Sequence, residues 1–282
     1  MRKTTKKSKK VLKKSPSSKK FKVGLGVVSY NRPDYLKRVM DGVTKHLMGE
    51  VDTIWVYNDG STEDYSEVYE SLPWQVNVEH NPKNKGVAEA KNWLMQKLLD
   101  EGCYIIIIAE DDIIPVHKKA VRGYIQAARA SGISHMMFAH HGPGNAYGAS
   151  YTTPVISTYP ACVGAWSFFT KPGLEEVGLH DTNFHNAYEH VELTWRHVKA
   201  GLTTPWGYFA DATGSDKWLQ EIPESIDNSS IRKTTDWSLN TFKSLEYWKN
   251  KDPDFPLQHT LDDVIKQLKE AGDDKSTSTN KK

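Results

Sequence analysis

Short apolar runs alternate with amphipathic stretches through the first half of the chain. Val23 to Val28 predicts a strand, and Ser29-Tyr30-Asn31-Arg32 follows as its loop. Pro33 fits the first turn of a helix, where its missing N–H costs nothing. Leu36, Val39, Met40, Val43 and Leu47 then recur at helical spacing. Thr53 to Tyr57 predicts a second strand, ending in the turn-forming run Asn58-Asp59-Gly60-Ser61-Thr62. Val76 to Val78 is a third, weaker strand leading to Asn81-Pro82. Gly86 opens a helix that carries Ala90, Leu94, Leu98 and Leu99 inward, with Gly102 as its C-terminal cap. Tyr104 to Ala109 contains four consecutive isoleucines and reads as a strand buried on both faces.

Strands and helices that alternate across short loops imply βαβ units and a mostly parallel sheet. Every polar loop named so far follows a strand, so all of them lie on one edge of that sheet. Ligands of open α/β sheets bind at that edge. Gly24-Leu25-Gly26 is not a dinucleotide fingerprint, because it lies inside the strand and no third glycine follows at the required place. After about residue 145 the pattern loosens into Gly, Ser, Tyr and Trp. Val163 to Thr170 predicts a further strand, Tyr188 to Lys199 a helix with Gly201 just beyond it, and His259 to Ala271 a closing amphipathic helix.

Composition sharpens this picture at the N-terminus. The 282 residues are 38% hydrophobic and 26% charged, which suits a globular domain with a full core. The net charge of +2 conceals an asymmetry. Residues 1 to 22 carry 11 Lys/Arg and no acid, so the remaining chain holds 26 basic against 35 acidic residues. That stretch predicts a disordered basic tail of the kind that gains affinity for nucleic acid by counterion release; an anionic membrane surface or a solubility role is the alternative. Residues 273 to 282 predict a second disordered tail. No apolar run approaches the ~20 residues of a membrane span, and no signal-peptide core is present, so the expected setting is the cytoplasm, or the host cytoplasm for a viral protein. Cys103 and Cys162 stand far apart and fit no metal-ligand spacing.

Candidate chemistry begins where the isoleucine strand surfaces. Glu110-Asp111-Asp112 places three carboxylates at the strand's carboxyl end. Hard oxygen ligands there suit Mg²⁺ or Mn²⁺ holding a substrate diphosphate, although an acidic triplet by itself is as readily a solvated turn.

Its neighbours carry a resemblance. Val27-Val28-Ser29-Tyr30-Asn31-Arg32-Pro33, Val56-Tyr57-Asn58-Asp59-Gly60-Ser61, Asn84-Lys85-Gly86-Val87-Ala88-Glu89-Ala90-Lys91-Asn92 and the acidic triplet follow in an order similar to the family 2-type glycosyltransferases of the GT-A fold. A looser stretch runs Gly178-Leu179-His180-Asp181 and then Tyr188 to Arg196. The resemblance spans about residues 23 to 200. It implies an α/β fold, a GT-A (Rossmann-like) central mostly parallel sheet with flanking helices in a single catalytic domain. Residues 23–145 would form the nucleotide-sugar half, 146–250 the acceptor half and 251–272 a C-terminal helix.

By position, Ser29 and Tyr30 would line the uracil pocket of a UDP-sugar, Asp59 would bond the base or ribose, and Lys85 and Gly86 would lie beside the nucleotide. The triplet resembles the family's DXD metal site, with Asp112 the direct ligand of Mn²⁺ or Mg²⁺ and Glu110 and Asp111 on the sugar or ribose. Glutamate at the first position departs from the family's aspartate. Glu189-His190 stands where the family keeps the Glu-Asp pair that supplies the catalytic base. Either residue qualifies, since imidazole titrates near neutrality. Glu192 and Arg196 look like groups that orient this helix. A further metal ligand is a downstream histidine in the family; none occurs between His197 and His259, which leaves Asp211 or Asp216 as substitutes, with His140 and His141 as exposed-loop candidates. Trp166 and Trp206 are the rings chosen for the sugar or acceptor cleft.

These features imply a metal-dependent inverting transfer of a sugar, with glucose favoured, from a UDP-sugar to an acceptor hydroxyl. The basic tail favours DNA as the acceptor, in the manner of phage-type enzymes that glycosylate hydroxymethylated pyrimidines, with the base flipped out of the duplex. A cytoplasmic glycan or protein acceptor is the alternative. A nucleotidyltransferase would need a Gly-rich phosphate loop that Ser29-Tyr30-Asn31-Arg32 lacks. A DNA-binding protein whose sheet has lost catalysis is the non-enzymatic alternative, and the intact Asp112 and Glu189 speak against it.

Overall fold

Val23–Ser29 forms β1 at the centre of the molecule, with all seven residues buried. The computed structural model describes residues 21–142, 148–184, 187–233, 236–252, Asp254, 261–262 and 264–268. The predicted tail at 1–20, the tail at 273–282 and part of the closing helix lie outside the described residues. From β1 the chain passes through α1 (Pro33–His46), β2 (Thr53–Asn58), α2 (Ser66–Ser71), β3 (Val76–His80), α3 (Val87–Asp100) and β4 (Ile105–Glu110). Then come β5 (Ile113–Pro115), α4 (Lys119–Ser131), β6 (His135–Met137), β7 (Tyr151–Thr152), β8 (Ile156–Tyr159), β9 (Trp166–Thr170) and α5 (Lys171–Val177). The last named elements are α6 (Glu189–Lys199), β10 (Phe209–Ala212), β11 (Leu219–Glu221) and α7 (Asp236–Lys251).

The central sheet has the order β3-β2-β1-β4-β9-β6. Four neighbours, β3, β2, β1 and β4, run parallel, and β9 enters antiparallel to both β4 and β6. A three-stranded sheet of order β10-β8-β7 and a ribbon pairing β11 with β5 complete the β structure of the described residues. The mostly parallel sheet with flanking helices is therefore present as the sequence implies. The β9 strand, from the second half of the chain, is built into the sheet of the first half.

Alternation along β4 explains why an unbroken isoleucine run is stable there. Ile105, Ile107 and Ala109 point to one core layer with Leu36, Val39 and Met40 of α1 and Tyr124 of α4. Ile106 and Ile108 point to the opposite layer with Leu94 and Leu98 of α3. All four isoleucines are at most 3% exposed, and each contributes roughly 1.5–3 kcal/mol by burial. Gly24 has a packing role: a Cβ there would meet Leu98 Cδ2 at 2.6 Å and Cys103 Sγ at 2.8 Å. The glycine permits α3 to lie close against β1. Both cysteines are free thiols.

A third, aromatic cluster joins Phe184, Trp195 of α6 and Trp248 of α7, with Trp206 packed against it. It pins α7 to α6, and α6 carries residues that face the sheet edge. Residues 261–262 and 264–268 are helical, with Val264 fully buried.

Candidate active site

Parallel pairing sets Ser29 beside Asn58 and Val28 beside Glu110, so the loops after β1, β2 and β4 emerge together. Ser29 Oγ donates to Asp111 Oδ2 at 2.6 Å and shares a 2.7 Å hydrogen bond with the Tyr65 hydroxyl. Asn31 adopts a positive φ of 51° and its side-chain oxygen accepts from Thr62 N at 2.7 Å, which stitches the first loop to the second. Asp59 fastens the third: its two oxygens accept from Lys85 N at 3.0 Å and Gly86 N at 2.9 Å. Val28, Ser29, Tyr30, Asp59, Glu110 and Asp111 line one depression together with Asn84 and Val87. Lys85 and Gly86 do not line it; their backbone N–H groups are held by Asp59, and their neighbours Asn84 and Val87 form the wall.

Asp111 and Asp112 are buried, and Glu110 stands partly exposed beside them. Glu110 pairs with Lys91 Nζ at 2.6 Å. Arg32 lies across the other two, donating to Asp111 and reaching Asp112 Oδ2 at 3.5 Å. Burial pushes the Asp111 carboxyl up to about 7, with Asp112 adding to the rise against the pull of Arg32. Asp112 is also raised, by burial first and by Glu110 and Glu221, against His141 and Arg32. Asp112 Oδ1 is buried with no hydrogen-bond partner among the described residues. His141 Nε2 lies 3.9 Å from Asp112 Oδ2, and its Nδ1 lies 2.9 Å from Glu221 Oε1.

Among the described residues no group of three His, Cys, Asp or Glu side chains is arranged to hold a metal. An orphaned buried carboxylate oxygen beside an imidazole nevertheless fits a nucleotide-bound divalent ion. Such an ion takes one or two protein ligands and fills its shell with phosphate and water. A buried acceptor left unpaired costs about 1–3 kcal/mol, which a bound cation would offset.

Two expectations are corrected. Asp211 is fully buried, and its oxygens already accept from Tyr124 Oη at 2.6 Å, Ser215 Oγ at 2.6 Å and Ala139 N at 3.0 Å. Its carboxylate ties α4 to β10 and has no capacity left for a metal. Trp166 is fully buried between the layers of the core, so its ring offers no face for stacking. Asp216 is exposed in a short turn, and His140 is engaged with the Tyr159 hydroxyl at 3.0 Å. Trp206 belongs to the aromatic cluster of α6 and α7.

Beside the triplet opens a cavity of about 460 Å³ lined by Glu110, His141, Gly164, Glu189, His190 and Trp237. Glu189 and His190 are the first residues of α6, preceded by Tyr188 at a φ of 67°. Glu189 is 3% exposed; its Oε1 accepts from Lys91 Nζ at 3.2 Å and lies 3.2 Å from His190 Nδ1. Its carboxyl is held well below the usual range, because Lys91 and then His190 outweigh the upward push of burial. Glu192 and Arg196 orient this helix as expected: they pair with each other at 2.9 Å, and Arg196 donates to Leu179 O at 2.6 Å. The structure therefore brings Ser29, Tyr30, Asp59, Glu110, Asp111, Asp112, Glu189 and His190 to one edge.

Sequence reasoning gave Lys91, Arg32 and Glu221 no role. Lys91 carries a readable signal, since it falls in the stripe Val87, Lys91, Leu94, Leu98, at a position where α3 is buried. Arg32 carries only its place in the first loop, and Glu221 carries none.

A family model described as glycosyl transferase family 2 matches residues 25–167. No curated protein sequence matches the chain. Among solved structures, GalNAc-T7 with UDP, GalNAc and Mn²⁺ superposes with a TM-score of 0.52 at 13% identity, covering 64% of this chain and 41% of that one. Staphylococcus aureus TarS, residues 1–349, gives a TM-score of 0.49 at 13% identity over 90% of this chain and 82% of that one. Glucosyl-3-phosphoglycerate synthase from Mycobacterium tuberculosis gives 0.46 at 15% identity, covering 64% of this chain and 66% of the other. The chain thus spans less than half the length of GalNAc-T7, and the likeness is one of fold.

Proposed function

Since the chain belongs to glycosyl transferase family 2, we propose that it moves a sugar from a nucleotide sugar to an acceptor hydroxyl by metal-dependent single displacement with inversion. The observation that carries this reading is the shared cavity. Glu110 of the acidic triplet and Glu189 of α6 line the same space from opposite elements.

A UDP-sugar is the proposed donor. The fold neighbour GalNAc-T7, crystallised with UDP and Mn²⁺, supports that choice. Its base and ribose would occupy the depression at Ser29, Tyr30 and Asp59. Asp112 would hold Mn²⁺ or Mg²⁺ through Oδ1, with His141 alongside. When bound, the ion supplies charge neutralisation for the departing diphosphate.

The acceptor hydroxyl enters the 460 Å³ cavity. As its oxygen bonds to the anomeric carbon, the bond from that carbon to the diphosphate oxygen breaks and the electron pair leaves with UDP. Glu189 takes the hydroxyl proton, and His190 borders it. Attack from the face opposite the leaving group passes through an oxocarbenium-like state and inverts the configuration.

The finer reading is glucose as the sugar and a hydroxymethylated pyrimidine in DNA as the acceptor. The 11 Lys/Arg of residues 1 to 22 support a nucleic-acid acceptor. So does the cavity wall, where Arg232 lies over the Trp237 ring at 5.7 Å and Tyr188 lines the same space, a set of planar groups suited to an extruded base. No helix of the described residues is long and apolar enough to cross a membrane.

The test is UDP release from UDP-glucose with Mn²⁺, offered hydroxymethylpyrimidine duplex, plain duplex or no acceptor. Release confined to the modified duplex and lost in Asp112→Ala supports the whole reading. Metal-dependent hydrolysis indifferent to DNA keeps the transferase and overturns the acceptor. A screen of sugar donors in which nothing is turned over, with UDP and Mn²⁺ failing to raise the melting temperature, overturns the transferase.

A further inference from the structure

Lys91 is among the largest fully buried side chains in the protein, and it sits between the two halves of the proposed chemistry. An ammonium has three protons to donate. Lys91 Nζ directs them to Glu110 Oε1 at 2.6 Å, Glu189 Oε1 at 3.2 Å and the Gly164 carbonyl at 3.2 Å. Its bonding capacity is full, and no part of it is spent on solvent.

Resting on the transferase reading above, we infer that Lys91 is a positioning residue, which fixes the Glu189 carboxylate as the base and ties it to the donor-side Glu110. Burying a lone carboxylate favours its protonated form, and a carboxylic acid accepts no proton from a sugar acceptor. A lysine held within hydrogen-bond distance reverses that preference and sets the angle at which the carboxylate faces the cavity.

The surroundings of Glu189 are otherwise mixed. His190 on its own helix lies 3.2 Å from Glu189 Oε1, and His180 contacts only the Glu189 backbone carbonyl, at 3.1 Å. Glu110 from β4 opposes its ionisation as a like charge, and the Cys162 thiol feels the Glu189 charge from the segment before β9. Burial depresses His180 to about 3, so it stays neutral near pH 7. Lys91 is the one permanent cation in this group.

Close packing supports a dedicated placement. A Cβ on Gly164 would stand 2.8 Å from His190 Cγ and 3.0 Å from Lys91 Nζ. The backbone at Gly164 approaches both groups because it has no side chain, and its carbonyl takes the third ammonium proton.

The experiment compares wild type, Lys91→Met and Lys91→Arg by two readouts. Glutamate side-chain ¹³C NMR, with the Glu189 signal assigned from Glu189→Gln, follows the protonation of the base without requiring turnover. The pH profile of kcat/KM for sugar transfer follows its use. Lys91→Met is expected to raise the Glu189 titration and the acid limb of the profile together, by at least about one pH unit. The rate below that limb should fall about 10-fold for each pH unit of that shift, and Lys91→Arg should restore most of it. The double variant Lys91→Met/Glu110→Gln removes one charge of each sign and serves where the single variant does not fold. An unmoved Glu189 titration in Lys91→Met, or a rate loss equal at every pH, overturns the inference. An inactive wild type with a Lys91-dependent Glu189 titration overturns the transferase reading and retains the Lys91–Glu189 relation.

Discussion

His141 Nε2 stands 3.9 Å from Asp112 Oδ2, and the other Asp112 oxygen has no partner among the described residues. An imidazole and a half-satisfied carboxylate at this separation can converge on one ion, with Glu221 orienting the ring from its far side at 2.9 Å. Outer partners of this kind are worth about 10–100-fold in metal affinity. Calorimetric titration of Mn²⁺ into the UDP-saturated protein should show binding abolished by Asp112→Ala. It should be weakened about 10-fold or more by His141→Ala and about 10-fold by Glu221→Gln. Undiminished Mn²⁺ affinity in Asp112→Ala would remove Asp112 from the metal site.

Asp111 makes the metal-free protein pH-sensitive. Its carboxyl stands at about 7 in the fold against roughly 3.9 in an unfolded chain. Between those values the native state holds a proton that the unfolded state has released, so stability falls as pH rises. The loss begins near the unfolded value and is complete above the folded one. It should amount to about 2–4 kcal/mol between pH 4 and pH 8. Paired carboxylates such as Glu189 act in the opposite direction at acid pH, so the comparison needs Asp111→Asn. Urea midpoints measured in EDTA should fall more steeply with pH in wild type than in Asp111→Asn; parallel curves would contradict a carboxyl raised by burial beyond what Arg32 and Ser29 offset.

Much of the fold was legible because its elements bury whole faces in consecutive sequence. The strands β1 and β4 are apolar without interruption, and α1 and α3 carry apolar residues every third or fourth position. The helix α7 escaped notice for a physical reason: of its described residues only Ser244 and Trp248 are buried, so no stripe exists to read. The antiparallel entry of β9 escaped too, because a buried apolar strand looks the same in either direction. Within the site, the carboxylates at strand and helix ends were readable from position. Asp211 misled because a sequence does not show that Tyr124 and Ser215 already saturate an acid. Lys91 was passed over because a helical lysine ordinarily faces water.

Gly164 offers a steric handle on the base. Adding one methyl at this position forces His190 or Lys91 to move, since the new carbon would sit within 3.0 Å of both. Overpacking of this size costs about 1–3 kcal/mol of stability. A misplaced catalytic group costs far more in rate, on the order of 100-fold for a shift of about 1 Å. Gly164→Ala should therefore melt only a few degrees lower while kcat collapses and KM for the nucleotide sugar stays near its original value. An equal rise in donor KM would place Gly164 in the donor site.

Trp166 and Trp237 divide the aromatic roles between core and cleft. Trp166 is fully buried with its indole N–H lacking a partner among the described residues. Trp166→Phe should therefore lower stability by about 1–3 kcal/mol and leave both substrate KM values unchanged. Trp237 lines the cavity at the start of α7 beside Arg232. Trp237→Ala should raise acceptor KM about 10-fold or more, matching the 1–3 kcal/mol of a base–aromatic stack. Steady-state kinetics with each substrate varied in turn separate the two.

The basic N-terminal stretch tests the acceptor independently of turnover. If it holds DNA through phosphates, each contact releases a counterion and the logarithm of affinity falls with the logarithm of salt, with a slope of about −0.9 per phosphate on duplex DNA. Deleting residues 1–20 removes ten of the 11 Lys/Arg counted in residues 1 to 22. Fluorescence anisotropy on duplex DNA from low to physiological salt should show a steep slope in the full chain. The truncated protein should bind more weakly at low salt and show a slope shallower by several units. If the stretch serves DNA alone, UDP and Mn²⁺ affinity should not change. If truncation leaves both the affinity and the salt slope intact, the tail is not a DNA-binding arm. A glycan or protein hydroxyl then becomes the acceptor to pursue.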